Sequence, residues 1–288
     1  MVGANQTMKL AVLADIHANL VALETVTAHL EAWQPDVVVV AGDVVNRGPR
    51  PLECWQLVQN RQHSAGWLLV RGNHEDYVLS QTRPNAPRQG PRFEIQRHTY
   101  WTCQQLNGNV AKLASMPAQQ SLLAPDGGKI LVMHGSRRGS RDGIYPETTA
   151  ADLRCKIEPS ASLFCVGHTH RPLIRRIDNT LVVNVGSAGL PFDGDPRPGY
   201  AQLEWQHGDW QARIIRLDYD RAKAERDFFE TGCLEQSGPM ARLILDELRT
   251  AQSRLFQWTE QYQSSVLAGQ MSMAEATQEF LVAIGRGD

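Results

Sequence analysis

Short apolar runs recur along the first three-quarters of the chain, and each one ends in polar chemistry. Lys9–Ala14 leads into Asp15, and the four valines Val37–Val40 lead through Ala41 and Gly42 to Asp43. Trp67–Val70 precedes Asn73 and His74, Ile130–Met133 precedes His134, and Leu163–Val166 precedes His168 and His170. A sixth run ends in Asn184-Val185-Gly186-Ser187, which offers small and amide residues but no strong ligand. Continuous valine-rich runs of this length predict strands buried on both faces. Helix patterns fill the gaps. Asn19 caps a helix running to about Trp33, with Leu23, Val26, Leu30 and Trp33 on one face, until Pro35 stops it. Pro51 to about Gln62 is a second helix, and Phe93 to about Leu113 a third, ending near Pro117. Thr82–Arg92, rich in proline, arginine and glutamine, reads as a loop placed to lie over whatever His74 serves.

Beyond Leu217 the pattern changes. Residues 218–288 hold no strand-like run and are rich in alanine, glutamate, glutamine, arginine and leucine, which favour helix. Pro239 opens a long helix carrying Leu243, Leu248, Leu255 and Trp258, and Ser272-Met273-Ala274-Glu275 is a capping box for a last helix through Ile284. The chain therefore divides into a domain over 8–217 and a helical C-terminal extension over 218–288, read as packing or as an oligomer contact rather than as chemistry.

The strand ends carry the chemistry. Open α/β sheets bind ligands at the carboxyl ends of their strands, so residues more than 150 positions apart can meet at one rim. Five of the nine histidines lie in these strand-end clusters. Polar punctuation of a strand explains one such cluster; five would need five coincidences. The donors are Asp15, His17, Asp43, Asn73, His134, His168 and His170, with no cysteine among them. Imidazole mixed with carboxylate and amide oxygen suits Mn, Fe, Zn, Ni or Co better than Mg or Ca. Seven donors exceed one closed zinc site but serve two ions if one carboxylate bridges. Two metals about 3.5–4 Å apart clamp the attacking and leaving oxygens of a phosphoryl displacement. The residues thus point to a dinuclear metal hydrolase of phosphate esters.

Composition narrows the class without changing it. A chain of 288 residues with 42% hydrophobic content can bury a sizeable core. Its net charge of -2 supplies no basic field for nucleic acid. Five cysteines with no C-x-x-C spacing fit a reducing compartment. Met1–Met8 is short and polar, so no signal peptide is read, and no apolar run is long enough to span a bilayer. The expected location is the cytoplasm.

The ordered set Asp15-x-His17, Gly42-Asp43-x-x-Asn46-Arg47-Gly48, Gly72-Asn73-His74-Glu75, His134-Gly135 and Gly167-His168-Thr169-His170 resembles the calcineurin-like metallophosphoesterase superfamily. Asn184–Tyr200 resembles its small bacterial phosphodiesterase and phosphatase branch. The resemblance spans residues 9 to about 217. It implies a layered α-β-β-α sandwich of two mixed sheets, with the metal site at the strand carboxyl ends. It implies one ion, Mn before other divalent transition metals, on Asp15, His17, Asp43 and His170, and a second on Asp43, Asn73, His134 and His168. A hydroxide bridging the ions would be the nucleophile. His74 would touch the scissile phosphate and assist the leaving group. Asn46 departs from the aspartate usual in the phosphatase branch; it can accept a hydrogen bond from His74 but cannot stabilise an imidazolium as a carboxylate does. Arg47 occupies the position that contacts phosphate in that branch, and its planar fork suits the task.

The loop after His134 holds Arg137, Arg138 and Arg141, candidates for a second charged group on the substrate. His98, Tyr100 and Trp101 read as structural. The partner is a phosphate-ester substrate, with no membrane and no nucleic acid. Phosphoprotein phosphatase and dinucleoside polyphosphate hydrolase are the alternative activities. A non-catalytic scaffold of the same fold is the alternative of another class; such scaffolds lose site residues, and here all seven donors and His74 are present.

Overall fold

The computed structural model describes residues 7–286. The first six residues of the segment read as lacking a signal peptide lie outside that range. The first half of the chain runs β1 (Met8–Leu13), α1 (Leu20–Trp33), β2 (Val37–Val40), α2 (Pro51–Ala65), β3 (Leu68–Leu69), α3 (Asn73–Ser80), α4 (Pro91–Gln105) and α5 (Val110–Leu113). Next come β4 (Gln119–Leu123), β5 (Lys129–Met133), α6 (Ala150–Lys156), β6 (Ala161–Val166), β7 (Leu173–Ile177) and β8 (Thr180–Asn184). A hairpin, β9 (Gly199–Gln206) and β10 (Asp209–Arg216), precedes α7 (Arg221–Glu230), α8 (Cys233–Gln236), α9 (Met240–Thr250), α10 (Arg254–Leu267) and α11 (Met273–Ala283).

Two five-stranded mixed sheets result, ordered β10-β9-β1-β2-β3 and β4-β5-β6-β8-β7. The strands that carry the motifs are parallel: β1 to β2, β2 to β3, and β5 to β6. Antiparallel β4 and β7 form the edges of the second sheet, and β9 pairs antiparallel with β1. Successive side chains along a strand face opposite sides. Leu10, Val12 and Ala14 therefore point between the sheets, against Ile130, Val132, Leu163 and Cys165. Ala11 and Leu13 point the other way, onto Leu23 and Leu30 of α1 and Trp55 of α2. On the far side, Leu131, Phe164 and Val166 meet Leu153 of α6. Both faces of each sheet are covered, which is why the runs are continuously apolar rather than alternating. The layers are α-β-β-α.

Helix α1 starts as its sequence predicts: the Asn19 side chain accepts the Ala22 amide at 3.1 Å. Other boundaries differ. The third helix breaks at Asn107 and Gly108, both at positive φ, into α4 and α5. The long helix expected from Pro239 breaks at Ala251, at φ 52°, into α9 and α10. Trp67–Val70 yields only the two-residue β3. The capping box at Ser272 and Glu275 is present in both directions. The C-terminal helices share a core with the sheet layers, where Val21, Trp101 and Leu190 join Leu243, Ile244, Trp258 and Phe280. No helix among the described residues is long and apolar enough to cross a membrane.

Candidate metal centre

The motif residues follow the carboxyl ends of parallel strands, in the connecting turns or, for Asn73 and His74, in the first turn of α3. Asp15 and His17 follow β1, Asp43 follows β2, Asn73 opens α3 after β3, His134 follows β5, and His168 and His170 follow β6. The turns are laced together: the Asp15 amide donates to Gly42 O at 3.0 Å, His17 to Asp43 O at 2.9 Å, and Gly167 to His134 O at 2.9 Å. Asp15, His17, Asp43, Asn46, Arg47, His168 and His170 all have φ between 48° and 73°. An L-residue adopts that conformation at roughly 1–3 kcal/mol each, a cost that clusters at functional sites. Gly72 is required at its place, because a Cβ there would fall on the Asp43 carboxylate.

The seven donors meet at one rim, all buried except half-buried His168. His17 Nε2 lies 3.1 Å from His170 Nε2, and Asp15 Oδ1 lies 3.3 Å from the latter. Across the rim, Asn73 Oδ1 lies 2.9 Å from both His134 Nε2 and His168 Nδ1, and Asp43 Oδ2 lies 3.2 Å from His134 Nε2. Asp43 Oδ2 also stands 3.7 Å from His17 Nε2, so one carboxylate faces both groups. The triads Asp15–His17–His170, Asp15–Asp43–His134 and His17–Asp43–His74 each bring their ligand atoms within 4.8 Å of one another.

The donor set calls for cations. His134 Nδ1 donates to Ala41 O at 2.8 Å, and His170 Nδ1 donates to Leu190 O. In the neutral rings, Nε2 is then a lone pair. Those lone pairs face Asn73 Oδ1, Asp43 Oδ2 and Asp15 Oδ1, where acceptors meet acceptors. Asp15 Oδ1 is buried with no donor at all. Without a metal only protons can fill the gap: against its burial, Asp43 and Asp15 push His134 up to about 10. Burial first, then the neighbouring histidines, hold His17 well below the ordinary range. Burial lowers His168 to about 4. Those two imidazoles keep their lone pairs available.

His74 stands beside this rim with its backbone amide donating to Asp43 Oδ1 at 2.8 Å. Its Nδ1 meets Asn46 Nδ2 at 2.8 Å, while Asn46 Oδ1 accepts from Thr102 Oγ1 at 3.2 Å. This reverses the expected polarity: the amide donates to His74 instead of accepting from it. An imidazole that accepts at Nδ1 carries its proton on Nε2. Tyr77 packs edge-on to the ring at 5.1 Å.

Three supporting residues were not singled out in the sequence. Buried Glu75 accepts amides from Asp43, Val44, Val45 and Gly72 at 2.8–3.3 Å, which ties the Asp43 turn to the start of α3. Burial and the Asp43 charge push it up to about 7, against the Asp43 and Gly72 amides and the neighbouring His134. Asn184 donates to Gly167 O and Thr169 Oγ1, at 2.9 and 2.8 Å, bracing the turn that bears His168 and His170. Ser187 donates to Asp15 O at 2.7 Å. The only signal for the last two was the sixth run, which ends at the same rim without a ligand.

A cavity of about 950 Å³ opens over the rim, lined on the floor by Asp43, Asn73, His74, His168 and His170. The C-terminal helices form part of its wall through Met240, Leu255 and Phe256. Glu247 joins floor to wall: it binds Arg47 Nη1 at 2.8 Å through one oxygen and accepts the Leu255 amide at 2.9 Å through the other. Arg47, the expected phosphate contact, is thus paired, and it also lies over the Phe192 ring at 5.6 Å. The sequence held one clue, an acid on the apolar Leu243, Ile244 and Leu248 face of α9. Of the loop arginines, Arg138 pairs with Asp152 at 2.9 Å and Arg137 with Glu158 at 3.6 Å, while Arg141 packs over Tyr77. The expected loop cover is absent from the lining; Ser80, Gln81 and residues of α4, His98 among them, stand there instead.

Known proteins resemble this chain in sequence and fold. An uncharacterized protein of Methanocaldococcus jannaschii is 26% identical over 235 residues, covering 75% of this chain and 89% of that one. A metallophosphoesterase from Sphaerobacter thermophilus superposes with a TM-score of 0.67 at 27% identity, over 85% of this chain and all of that one. A hypothetical protein from Pyrococcus horikoshii shares the fold, with a TM-score of 0.72 at 18% identity, over 85% of this chain and 99% of that one. The family profile of the calcineurin-like phosphoesterase superfamily domain matches residues 8–208. The strand-end motifs and this match agree: the chain belongs to the calcineurin-like phosphoesterase superfamily.

Proposed function

We propose that this protein hydrolyses phosphate esters with two divalent transition-metal ions, Mn first among them. Asp15, His17, Asp43 and His170 would hold one ion, and Asp43, Asn73, His134 and His168 the other. The observation that carries this reading is the pair of acceptor-rich clusters that Asp43 Oδ2 faces together. The ions would supply Lewis acidity toward the phosphoryl oxygens and make water acidic enough to attack near neutral pH. Hydrolysis adds water across one P–O bond. The oxygen joins phosphorus, one proton goes to the departing alkoxide, and the other passes to solvent. His74 holds a proton on Nε2 at the cavity floor, where it can stabilise the departing oxygen. Asn46 fixes that tautomer through Nδ1, and Glu75, Asn184 and Ser187 hold the turns.

The test is metal content and hydrolysis together. Protein loaded with Mn should bind two ions per chain and cleave members of a panel of phosphomonoesters and phosphodiesters. Chelation should abolish both properties. Turnover that survives complete metal removal would sink the reading.

A further inference from the structure

The cavity reaches well beyond a phosphate site, and its wall is chemically unlike its floor. At about 950 Å³ it has room for organic groups as well as a phosphoryl group. Both arginines that line it already have carboxylate partners: Arg47 is held by buried Glu247 at 2.8 Å, and Arg171 pairs at the surface with exposed Glu147, with one bond of 3.1 Å. The wall from the C-terminal helices offers Met240, Leu255 and Phe256, interleaved with the amides of Gln252, Gln257 and Gln263. Phe256 is 61% exposed although it is a large apolar side chain, and Tyr145 at the same cavity is 41% exposed. Exposed aromatic surface continuous with a reactive floor marks a binding wall.

From this the geometry points to an aromatic-arm subsite on α10, with Phe256 as its specificity-determining residue, and to phosphodiester monoanions as the substrate class. The inference rests on the phosphoesterase reading above and deepens it. A monoester dianion brings two charges and leaves both to the ions, because among the lining residues it finds no unpaired arginine or lysine. A diester brings one charge and a second organic group in place of the other, and the wall supplies apolar and amide surface for that group. A flat ring would lie against Phe256, where offset or edge-on packing is favourable, while the glutamines meet polar ring edges.

Two measurements separate the subsite from the reaction. The first is calorimetric binding of dibenzylphosphinate and dimethylphosphinate to the metal-loaded enzyme. Both are monoanions with P–C bonds and cannot be hydrolysed. The dibenzyl compound should bind about tenfold more tightly or better, and Phe256→Ala should remove most of that difference while leaving dimethylphosphinate binding unchanged. Phe256 is exposed, so the variant folds. The second measurement is kcat/KM for bis(p-nitrophenyl) phosphate against p-nitrophenyl phosphate; the diester should lead, and Phe256→Ala should raise KM for the diester by several-fold. Equal binding of the two phosphinates, or a variant that weakens both alike, overturns the subsite. A monoester preference in the wild type overturns the substrate class. If no ester is cleaved but the phosphinates are still discriminated, the hydrolase reading fails and the aromatic-arm subsite stands.

Discussion

The floor and the wall of the cavity are built by opposite rules. The metal rim that forms the floor is polar and almost wholly buried, and Asp15, His17, Asp43, His168 and His170 in it sit at positive φ. The wall is helical, mixes apolar side chains with uncharged polar ones and is partly exposed, with Ala251 at the α9–α10 junction as its one left-handed residue between 240 and 267. At the rim Asp15, Asp43, His134 and His170 are each held by a backbone group of another segment, so position is enforced at a cost in strain. On the wall helices pack by ordinary apolar burial, and the substrate-facing residues are whatever the core leaves over. Chemistry demands fixed atoms, whereas recognition of an organic group demands only a surface. The two regions should therefore respond differently to mutation.

The largest effect should come from Asp43. Because its carboxylate faces both donor groups, Asp43→Asn should strip both ions and leave no turnover above background. His17→Ala should weaken one site and leave His134, His168 and Asn73 their ion. Metal analysis of the purified variants decides this, since Asp43→Asn with two ions per chain removes the bridging role.

His74 comes next. His74→Gln should keep both ions and lose about 10²–10⁴-fold in kcat, the usual share of a proton donor. Nitrophenyl leaving groups, which need little protonation, should suffer least. Should metal content fall with activity, His74 is a ligand, as its closeness to His17 and Asp43 also permits.

The floor was legible in the sequence because its residues are of unusual type at a repeated place. An aspartate or histidine directly after a valine run is a local signal, and five of them fall at one rim by topology alone. The wall left no such trace. Leu255, Phe256 and Met240 look like any helical core residue, and only the fold shows which of them miss the core. Glu247 was hidden for the same reason, since its partner Arg47 lies 200 positions earlier. The antiparallel strands were also unread. β4 alternates exposed and half-buried residues, and the β9–β10 hairpin joins the first sheet from nearly 190 residues away in sequence.

Glu247 joins the two regions, and its removal should cost stability more than chemistry. Its side chain is fully buried, and its loss strands the Arg47 guanidinium and the Leu255 amide. Breaking a buried pair from one side typically costs about 3–5 kcal/mol. Glu247→Ala should show that loss in denaturant unfolding, with the metals retained. The double variant Arg47→Met, Glu247→Leu should recover part of it. A loss below about 1 kcal/mol would mean water already reaches the pair.

The smallest expected effect separates the loop arginines. Arg137 and Arg138 are half exposed and paired with Glu158 and Asp152, and exposed pairs are worth about 0–1 kcal/mol. Neither lines the cavity. Arg141 differs, because its guanidinium lies 4.6 Å over the ring of Tyr77, which lines the cavity and packs on His74. A cation over an aromatic face contributes about 0.5–1 kcal/mol at a site of this kind, or roughly two- to fivefold. Arg141→Ala should therefore raise KM by that factor through a freer Tyr77 ring, with kcat nearly unchanged. Arg141→Lys should keep part of the effect, because an ammonium also binds the ring face. Arg137→Ala and Arg138→Ala should leave both constants alone. If Arg138→Ala instead raised KM more than Arg141→Ala, the loop would be reading substrate charge directly, and the contrast between a neutral wall and a charged floor would no longer hold.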